Sequence, residues 1–407
     1  MDGPTSDNGC QTSGEPGGFE GPSSHFAGTF AHAAGGMHPP GRGGGDGLAR
    51  SGRGGGPSGF PGQVYGALDL GTNNCRLLLA RPSRRGFRVV DAFSRIIRLG
   101  EGVSHSGRLA EAAMDRTVDA LRVCAGKLAR ANVSRVRCVA TEACRVAENG
   151  QSFLSRVRRE TGLAIEILSR EAEAKLAVSG CASLIDYGAE YVLVFDIGGG
   201  SSELIWLDMR RLGANGHASL MEWLDGGHAI AAWTSLPAGV VTLAERFGGR
   251  YVTPDIFDAM VEEVMRLIHP FEEKHRFSER LAGSNVHLLG TSGTVTTVAG
   301  IRLGLLRYDR SRVDGCWLDS GEVRRITADL VQRSYEERIA EPCIGEERAD
   351  LVLAGCAILE AILKVWPAER LRVADRGLRE GILTRLMSED GVFRVGRRRR
   401  GGRGSRR

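Results

Sequence analysis

The sequence lacks the cysteine pairs that mark a structural zinc site. Its nine cysteines include no Cys-x-x-Cys pair, and its nine histidines show no ligand-like spacing with them. Most of the cysteines lie within apolar runs, as Cys138 does in residues 136–140, which is typical of small buried side chains in a reducing compartment. The composition therefore argues against zinc binding and against a disulfide framework.

Long apolar runs are also absent, and we expect no secretory leader. No uninterrupted apolar stretch approaches the length of a membrane span. No continuous apolar stretch follows a basic start, and Arg42, Arg50 and Arg53 interrupt the glycine-rich segment near the beginning. We therefore expect a soluble, cytoplasmic protein.

Net positive charge is confined to one end of the chain. The formal net charge is +5, but residues 394–407 carry eight arginines and no acid, so the rest of the chain is slightly acidic. Aromatic residues make up 6% of the chain, and its five tryptophans are scattered singly. The body of the protein therefore has neither the charge nor the stacking platform of a nucleic-acid-binding domain.

Both ends of the chain have the composition of disordered segments. Residues 1–61 are dominated by glycine, serine, proline and small polar residues, with almost no periodic apolar face. Such a segment cannot bury enough surface to offset the entropy of ordering. We expect residues 1–61 and 391–407 to be disordered, the latter as an arginine-rich tail. The tail is either a mobile solubilising end or a segment that contacts RNA or other polyanions.

Two turns of matching composition stand out in the remaining sequence. Residues 69–74 (DLGTNN) and 196–202 (DIGGGSS) each begin with an aspartate, contain glycine and lie between two apolar runs. Glycine allows the backbone to approach an anion and to point N–H groups at it. An aspartate at a strand end can hold Mg2+, directly or through water. The pair predicts two duplicated lobes that face one another across a phosphate and metal site.

Apolar periodicity predicts alternating strands and helices around these turns. In the first half we expect strands at 64–70, 75–80, 87–91, 136–140 and 165–168, and helices at 109–128, 152–160 and 171–180. The second half repeats the opening with strands at 191–196, 203–207 and 219–224, followed by helices at 240–247 and 254–271 and strands at 286–289 and 371–374. Ligands bind at the carboxyl ends of strands in such sheets, so these turns are candidate walls of one site.

Six motifs in this order resemble those of the exopolyphosphatase and guanosine pentaphosphate phosphohydrolase family, Ppx/GppA. They are residues 69–73 (DLGTN), 140–145 (ATEACR), 166–169 (EILS) with 173–175 (EAK), 196–204 (DIGGGSSEL), 290–294 (GTSGT) and 374–381 (ADRGLREG). The resemblance covers about residues 62–388. It implies an α/β fold of two actin-like (ribonuclease H-like) lobes, with mixed sheets flanked by helices and the active-site cleft between them.

The domain boundaries follow from this resemblance and from the composition. We expect the first lobe at 62–185 and the second at 186–390, with the last helix free to pack back on the first lobe. A homodimer is expected from the resemblance alone.

The resemblance also implies the chemistry and the residues that carry it. The reaction would be release of terminal orthophosphate from inorganic polyphosphate, or hydrolysis of guanosine pentaphosphate to the tetraphosphate. Asp69 and Asp196 would hold Mg2+ or Mn2+, Glu173 would be the catalytic base for the attacking water, and Glu203 would be a second catalytic carboxylate beside them. The substrate-binding residues would be Asn73, Arg76, Arg145, Gly198, Gly199, Gly200, Ser201 and Ser202.

The sequence departs from the family pattern just before the implied base. Arg170 and Glu171 stand where the family usually has glycine and a small or polar residue, so Glu171 competes with Glu173 for the same role. Residues two apart on a helix lie on different faces, so only one of the two can point inward. We favour Glu173 because it aligns with the flanking motifs without a gap.

Two other functions fit the same broad resemblance. One is an ATP-dependent kinase or ATPase of this fold, and the other is a non-catalytic sensor of polyphosphate or guanosine tetraphosphate. A glutamate-bearing helix at 171–175 favours water as the acceptor over a substrate hydroxyl. Retention of Asp69, Glu173, Asp196 and Glu203 together argues against a protein without catalytic activity.

Deletion of residues 394–407 tests whether the arginine tail contributes to substrate binding. We expect the truncated protein to bind long polyanions more weakly, with a shallower salt dependence, because fewer counterions are released. Hydrolysis of short substrates should be unchanged. A salt titration of binding checks this, and an unchanged slope would show that the tail takes no part.

Overall fold

Two mixed β-sheets organise residues 62–83, 86–214 and 229–393, which are the residues that the computed structural model describes. The first sheet has the order β3-β2-β1-β4-β5 and consists of β1 (Tyr65–Leu70), β2 (Asn74–Ser83), β3 (Gly86–Ile96), β4 (Arg135–Ala140) and β5 (Glu166–Ile167). The second has the order β8-β7-β6-β9-β11-β10 and consists of β6 (Tyr191–Ile197), β7 (Ser202–Asp208), β8 (Ile230–Leu236), β9 (Val286–Thr291), β10 (Trp317–Asp319) and β11 (Arg370–Ala374).

The two sheets repeat one topology. Strand β1 pairs antiparallel with β2 and parallel with β4, and β6 pairs antiparallel with β7 and parallel with β9. In both sheets a meander of three strands is therefore followed by strands that return through helical crossovers, which parallel pairing requires. This arrangement confirms the predicted fold class of two actin-like lobes with mixed sheets.

Helices connect the strands in both halves of the chain. Those of the first half are α1 (Val103–Ser106), α2 (Glu111–Arg130), α3 (Glu142–Val146), α4 (Gly150–Thr161) and α5 (Arg170–Cys181), with a 3-10 turn at Ala182–Leu184. Those of the second half are α6 (Arg210–Ala214), α7 (Val240–Phe247), α8 (Pro254–His275), α9 (Phe277–Arg280), α10 (Gly293–Arg302), α11 (Arg310–Val313), α12 (Ser320–Gln332), α13 (Tyr335–Ala340), α14 (Val352–Val365) and α15 (Leu378–Glu389).

Strand β6 is buried on both faces, which explains its continuous apolar sequence. Leu193 and Phe195 contribute to the large core of the second sheet, in which α8 and α14 also pack. Val192 and Val194 point to the opposite face, where α5 contributes Ala174 and Val178 to a separate core. The end of β6 is therefore fixed from both sides, and so is the turn that follows it.

The last helix packs on the first sheet, although it follows the last strand of the second. Leu378 and Ile382 of α15 share a core with Ala67 of β1 and Leu78 of β2. At the far end of the helix, the hydroxyl of Tyr65 donates a hydrogen bond to Asp390 at 2.7 Å. Helix α15 therefore runs antiparallel to β1, with its first turn at the carboxyl end of that strand.

Glycines allow α5 and α15 to cross at backbone contact. A Cβ atom on Gly180 would lie 1.9 Å from the carbonyl oxygen of Gly377, and one on Gly381 would lie 2.0 Å from that of Leu176. No larger residue fits without moving one helix. Glu173 lies on α5 and Arg379 lies on α15. The crossing of the two helices therefore sets the relative position of these two charged residues.

Several elements differ from the sequence-based expectation. Strand β3 extends to Ile96, because its pairing with β2 continues past the residues that the apolar pattern marks. The third strand of the second sheet is β8, whereas the strand predicted at 219–224 lies outside the described residues. Helices α12 and α14 were not predicted. Helix α14 is apolar on nearly all sides and shows no periodic polar face.

The predicted lobe boundaries at 62–185 and 186–390 stay a prediction, as does the disorder of the two ends. Residues 1–61 and 394–407 lie outside the described residues. Among the helices that are described, none is both long enough and apolar enough to cross a membrane.

Replacement of Gly381 by alanine tests the helix crossing. We expect Gly381→Ala to lower the free energy of unfolding by about 1–3 kcal/mol, because the added methyl group meets the carbonyl oxygen of Leu176. Gly126→Ala in α2 is the matched control, since the nearest atom to its added Cβ is the Arg130 Nη1 at 3.8 Å. The control should raise stability by about 0.5–1 kcal/mol. Denaturant unfolding measures both, and equal changes would contradict the close crossing.

Candidate functional site

The two glycine-bearing turns are structural equivalents. Each leaves a central strand and enters its antiparallel neighbour, so that Asp69 lies opposite Arg76 and Asp196 lies opposite Glu203. Each turn is closed by the same hydrogen bond, from the N–H of Gly71 to the carbonyl oxygen of Asn74 and from that of Gly198 to Ser201, both at 2.9 Å. The duplication that the sequence predicts is therefore present in atomic detail.

The turns of the two sheets also contact each other. A Cβ atom on Gly199 would lie 3.0 Å from the Cβ of Thr72 and 3.1 Å from the backbone nitrogen of Asn73. One on Gly200 would lie 2.8 Å from the hydroxyl oxygen of Thr72 and 3.1 Å from the Cγ of Glu142. Glycine is required at both positions, and the ends of β1 and β6 meet at one junction.

Asp69 and Asp196 are half-buried carboxylates at this junction. Within the described part of the chain, neither carboxylate accepts a hydrogen bond or forms an ion pair. Burial raises the pKa of Asp196 to about 7, and the negative charges of Glu203 and Asp69 contribute to that rise. Burial also raises the pKa of Asp69, while Arg76 and Arg379 oppose that shift. The site thus concentrates negative charge that the protein itself leaves largely uncompensated.

Glu173 lies in the first turn of α5, which begins after the cap residue Ser169. Its side chain is 12% exposed and accepts a hydrogen bond from Arg145 at 3.0 Å. Burial and the charge of Glu203 raise the pKa of Glu173, and Arg145 opposes this. The competing Glu171 is exposed and forms an ion pair with Lys175 at 2.9 Å. Of the two glutamates, Glu173 is the one at the junction.

Glu203 is 2% exposed and is oriented by two hydroxyl groups. The hydroxyls of Ser201 and Ser235 each donate to its Oε1 atom at 2.8 Å. Burial raises the pKa of Glu203, and these hydrogen bonds oppose the shift. The hydroxyl of Ser202 is fully buried and donates to the carbonyl oxygen of Ala238 at 2.6 Å, so it is out of reach of a substrate in this arrangement.

Arg145 is held between two glutamates. It donates to Glu142 at 2.5 Å, to Glu173 at 3.0 Å and to the carbonyl oxygen of Leu168 at 2.6 Å. Glu142, which is 7% exposed, also accepts from Arg170 at 2.7 Å. Sequence reasoning missed Glu142 and Arg170, although Glu142 stands inside one of the six motifs. The geometry shows Arg145 in direct contact with the implied base.

Two further predicted residues have unused polar groups. The side-chain oxygen of Asn73 is buried without a hydrogen-bond partner among the described residues, and Asn73 is 8% exposed. The guanidinium of Arg76, which is half-buried, forms no ion pair or hydrogen bond with any described residue. Buried polar groups are normally paired, and these groups are available to pair with a ligand.

The glycine turn of the second sheet is oriented by its carbonyl groups. The backbone N–H groups of Val240 and Val241, at the start of α7, donate to Gly198 at 2.9 Å and to Gly199 at 2.8 Å. The N–H groups of Gly199 and Gly200 donate to no acceptor within the described ranges. They are therefore available to an anion, as the sequence predicts for this turn.

The turn at 290–294 adds a strained residue beside the second sheet's turn. Ser292 has φ 85° and ψ −179°, a conformation that residues other than glycine rarely adopt. Its hydroxyl donates to the carbonyl oxygen of Ile197 at 2.5 Å, directly before Gly198. Ser292 therefore fixes the start of α10 against the end of β6.

The described residues contain no group of three or more histidine, cysteine, aspartate or glutamate side chains arranged to hold a metal ion by themselves. Mg2+ nevertheless commonly binds through one or two carboxylates, with waters and substrate phosphates as the other ligands. Asp69 and Asp196 have the right oxygen donors, and their charges are unpaired among the described side chains. The residues at this junction therefore fit a hard divalent cation shared with a phosphate.

Comparison with known proteins agrees with these features. A sequence profile of the Ppx/GppA phosphatase family matches residues 79–390. The guanosine-5'-triphosphate,3'-diphosphate pyrophosphatase of Photobacterium profundum is 29% identical over 327 residues, which cover 80% of this chain. The match covers 60% of that relative, so the chain spans less than two thirds of its length.

Solved structures of the same family share the fold. The Ppx/GppA family member of Aquifex aeolicus superposes with a TM-score of 0.63 and 27% identity, over 81% of this chain and 98% of that chain. An exopolyphosphatase from Cytophaga hutchinsonii superposes with a TM-score of 0.70 at 24% identity, over 80% of this chain and 98% of that chain. The profile match, extending over most of the folded sequence, shows that this chain belongs to the Ppx/GppA phosphatase family.

Proposed function

We propose that this protein releases the terminal orthophosphate of inorganic polyphosphate by attack of water, and that it also hydrolyses guanosine pentaphosphate to the tetraphosphate. The observation that carries the proposal is the pair of carboxylates Glu173 and Glu203, with raised pKa values, beside a glycine turn in which the N–H groups of Gly199 and Gly200 have no acceptor among the described residues. The names of the Photobacterium and Cytophaga relatives cover the same two substrates.

Glu173 is the proposed base for the attacking water. Its Oε2 atom accepts from Arg145, which leaves Oε1 without a partner among the described residues. A raised pKa brings a carboxylate closer to the operating pH, where a general base is most effective. The charge of Arg145 and its hydrogen bond oppose this rise in the pKa of Glu173. We therefore assign Arg145 to positioning Glu173, with contact to a phosphate oxygen as its second role.

Substrate oxygens would be held by groups that the protein leaves unused. These groups are the N–H groups of Gly199 and Gly200, the side-chain Nδ2 amide group of Asn73, which donates to no described residue, and the guanidinium of Arg76. Phosphoryl transfer requires mainly positioning and charge stabilisation, which such groups provide. Gly198 and Ser201 would act by holding the turn and Glu203, and Ser202 by anchoring the strand end.

Asp69 and Asp196 are the proposed ligands of Mg2+ or Mn2+. A divalent ion bound there would neutralise charge on the terminal phosphate and on the leaving oxygen. The support is that both carboxylates lack protein partners among the described residues and that Asp196 has a pKa near neutrality in the absence of a cation. Without a cation, the two carboxylates and the substrate would repel one another.

A kinase or ATPase of the same fold remains the alternative enzyme. Glu173 favours hydrolysis over transfer, because it is a buried carboxylate fixed by Arg145 at a place suited to orient water. A non-catalytic sensor would not require a base with a raised pKa. A panel of substrates separates the three functions.

A phosphate-release assay on polyphosphate, guanosine pentaphosphate and ATP, with and without Mg2+, tests the proposal. We expect Mg2+-dependent release from the first two substrates and little from ATP. Glu173→Gln should lower the rate of phosphate release by about 10²–10⁴-fold, because it removes the base. Substrate binding should remain largely intact. Glu171→Gln is the control and should retain activity. Full activity of Glu173→Gln would exclude the assigned base, and faster ATP turnover would favour the alternative enzyme.

The pH dependence of stability tests the cation site. Asp196 has a folded-state pKa of about 7 against an ordinary 3.8, so the folded protein holds a proton that the unfolded chain loses between these values. Stability without metal should therefore fall as pH rises from about 4 to about 7, and Asp196→Asn should remove part of this fall. At pH 8 we expect the variant to be more stable by on the order of 2 kcal/mol.

Addition of Mg2+ should stabilise the wild type at pH 8 and should stabilise Asp196→Asn much less. The exposed Asp258→Asn in α8 is the control and should behave as the wild type in both respects. Thermal unfolding across pH, with chelator and with Mg2+, measures these effects. An equal response of all three proteins to Mg2+ would contradict a cation site at Asp196.

A further inference from the structure

Arg379 is a half-buried arginine that the family resemblance and the proposed function leave without a role. Like Arg76, it forms no ion pair and no hydrogen bond with any residue in the described ranges. Other arginines around it are paired, since Arg310 binds Glu380 at 2.8 Å and Arg376 binds Asp314 at 2.8 Å. Two unpaired guanidinium groups in one region require an explanation.

The packing of α15 brings Arg379 beside Arg76. Tyr65, Ala67 and Asp69 alternate onto one face of β1, and their partners on β2 are Ala80, Leu78 and Arg76. Helix α15 covers this face, with Asp390 against Tyr65 and Ile382 in the core that contains Ala67. The first turn of the helix, which holds Arg379, therefore lies at the level of Asp69 and Arg76.

This position is unfavourable for a cation unless an anion binds there. Arg379 occupies the first turn of α15, where the helix dipole disfavours positive charge. Burial lowers the pKa of Arg379 and the charge of Arg76 adds to this shift, while the charges of Glu380 and Asp69 oppose it without cancelling it. Glu380 itself is committed to the N–H of Gly377 at 3.0 Å and to Arg310. The local structure thus supplies no full compensation for Arg379.

Strand order separates Arg76 from the proposed base. In the first sheet, β2 with Arg76 lies on one side of β1, whereas β4 and β5, which lead to Arg145 and Glu173, lie on the other. Asp69, at the end of β1, is between the two groups. Water and leaving oxygen are on opposite sides of phosphorus in phosphoryl transfer. If Glu173 orients the water, the leaving oxygen would therefore face Arg76 and, beside it, Arg379.

We propose that Arg379, together with Arg76, binds the phosphate group next to the terminal one, so that a substrate must present at least two consecutive phosphates. This inference rests on the proposed function, because it assumes that Glu173 marks the side of water attack. Two guanidinium groups suit this role, since each can donate two parallel hydrogen bonds to a phosphate. Arg379 is then a specificity residue that favours phosphoanhydrides over single phosphates.

The test compares two ligands on a protein that does not turn them over. Tripolyphosphate and orthophosphate are titrated calorimetrically, in the presence of Mg2+, into Glu173→Gln, into the same protein with Arg379→Ala, and into the same protein with Arg385→Ala. Arg385 is the matched control, because it lies on the same helix, is exposed and pairs with Glu389 at 3.3 Å. We expect Arg379→Ala to weaken tripolyphosphate binding by about 10- to 100-fold and orthophosphate binding by less than about 3-fold.

Further variants separate binding from a structural role. Arg379→Lys keeps the charge without the paired donors, so its loss of tripolyphosphate affinity should be intermediate. Thermal unfolding of Arg379→Ala should be no lower than that of Arg385→Ala, because no partner of Arg379 is lost. Unchanged tripolyphosphate affinity, or an equal loss for both ligands, would overturn the proposal. These results stand even if the wild type fails to hydrolyse polyphosphate, in which case the proposed function fails and the anion site remains.

Discussion

Mutual repulsion among carboxylates brought together at one junction is the constraint on which the rest of the structure depends. Asp69, Asp196, Glu173 and Glu203 come from four elements and meet where the two sheets end, with Arg145 as a hydrogen-bonded counter-charge to Glu173. Such an arrangement destabilises the fold on its own. We propose that it is tolerated because β6 is packed on both faces and α5 is held by its close crossing with α15, and because a cation and a polyanion would compensate the charges when bound.

The duplicated scaffold explains how two charge patterns arise from one geometry. The turns have the same length and the same closing hydrogen bond, yet the residue opposite the aspartate is Arg76 in one sheet and Glu203 in the other. The first sheet therefore presents positive charge beside its aspartate and the second presents negative charge. Helix α15 strengthens this asymmetry, because it brings Arg379 from the end of the chain onto the first sheet.

Much of the fold could be read from the sequence, and the site only in part. The apolar runs around residues 69 and 196 predict both hairpins, because a buried strand produces a short run of apolar residues in the sequence. Glu173 could be favoured over Glu171 by alignment, but its contact with Arg145 depends on how α3 and α5 approach each other. The lack of partners at Arg379 is a property of tertiary packing, and no local pattern reports it. Helix α14 was missed because a helix buried on all sides shows no periodicity.

A crystal structure of the Glu173→Gln variant with tripolyphosphate and Mn2+ would test the central claim most directly, since the anomalous signal of manganese locates the ion independently of the phosphates. We predict one ion between the carboxylates of Asp69 and Asp196, with the terminal phosphate at the N–H groups of Gly199 and Gly200. Manganese and phosphate bound elsewhere, with both aspartates uncoordinated, would contradict the account.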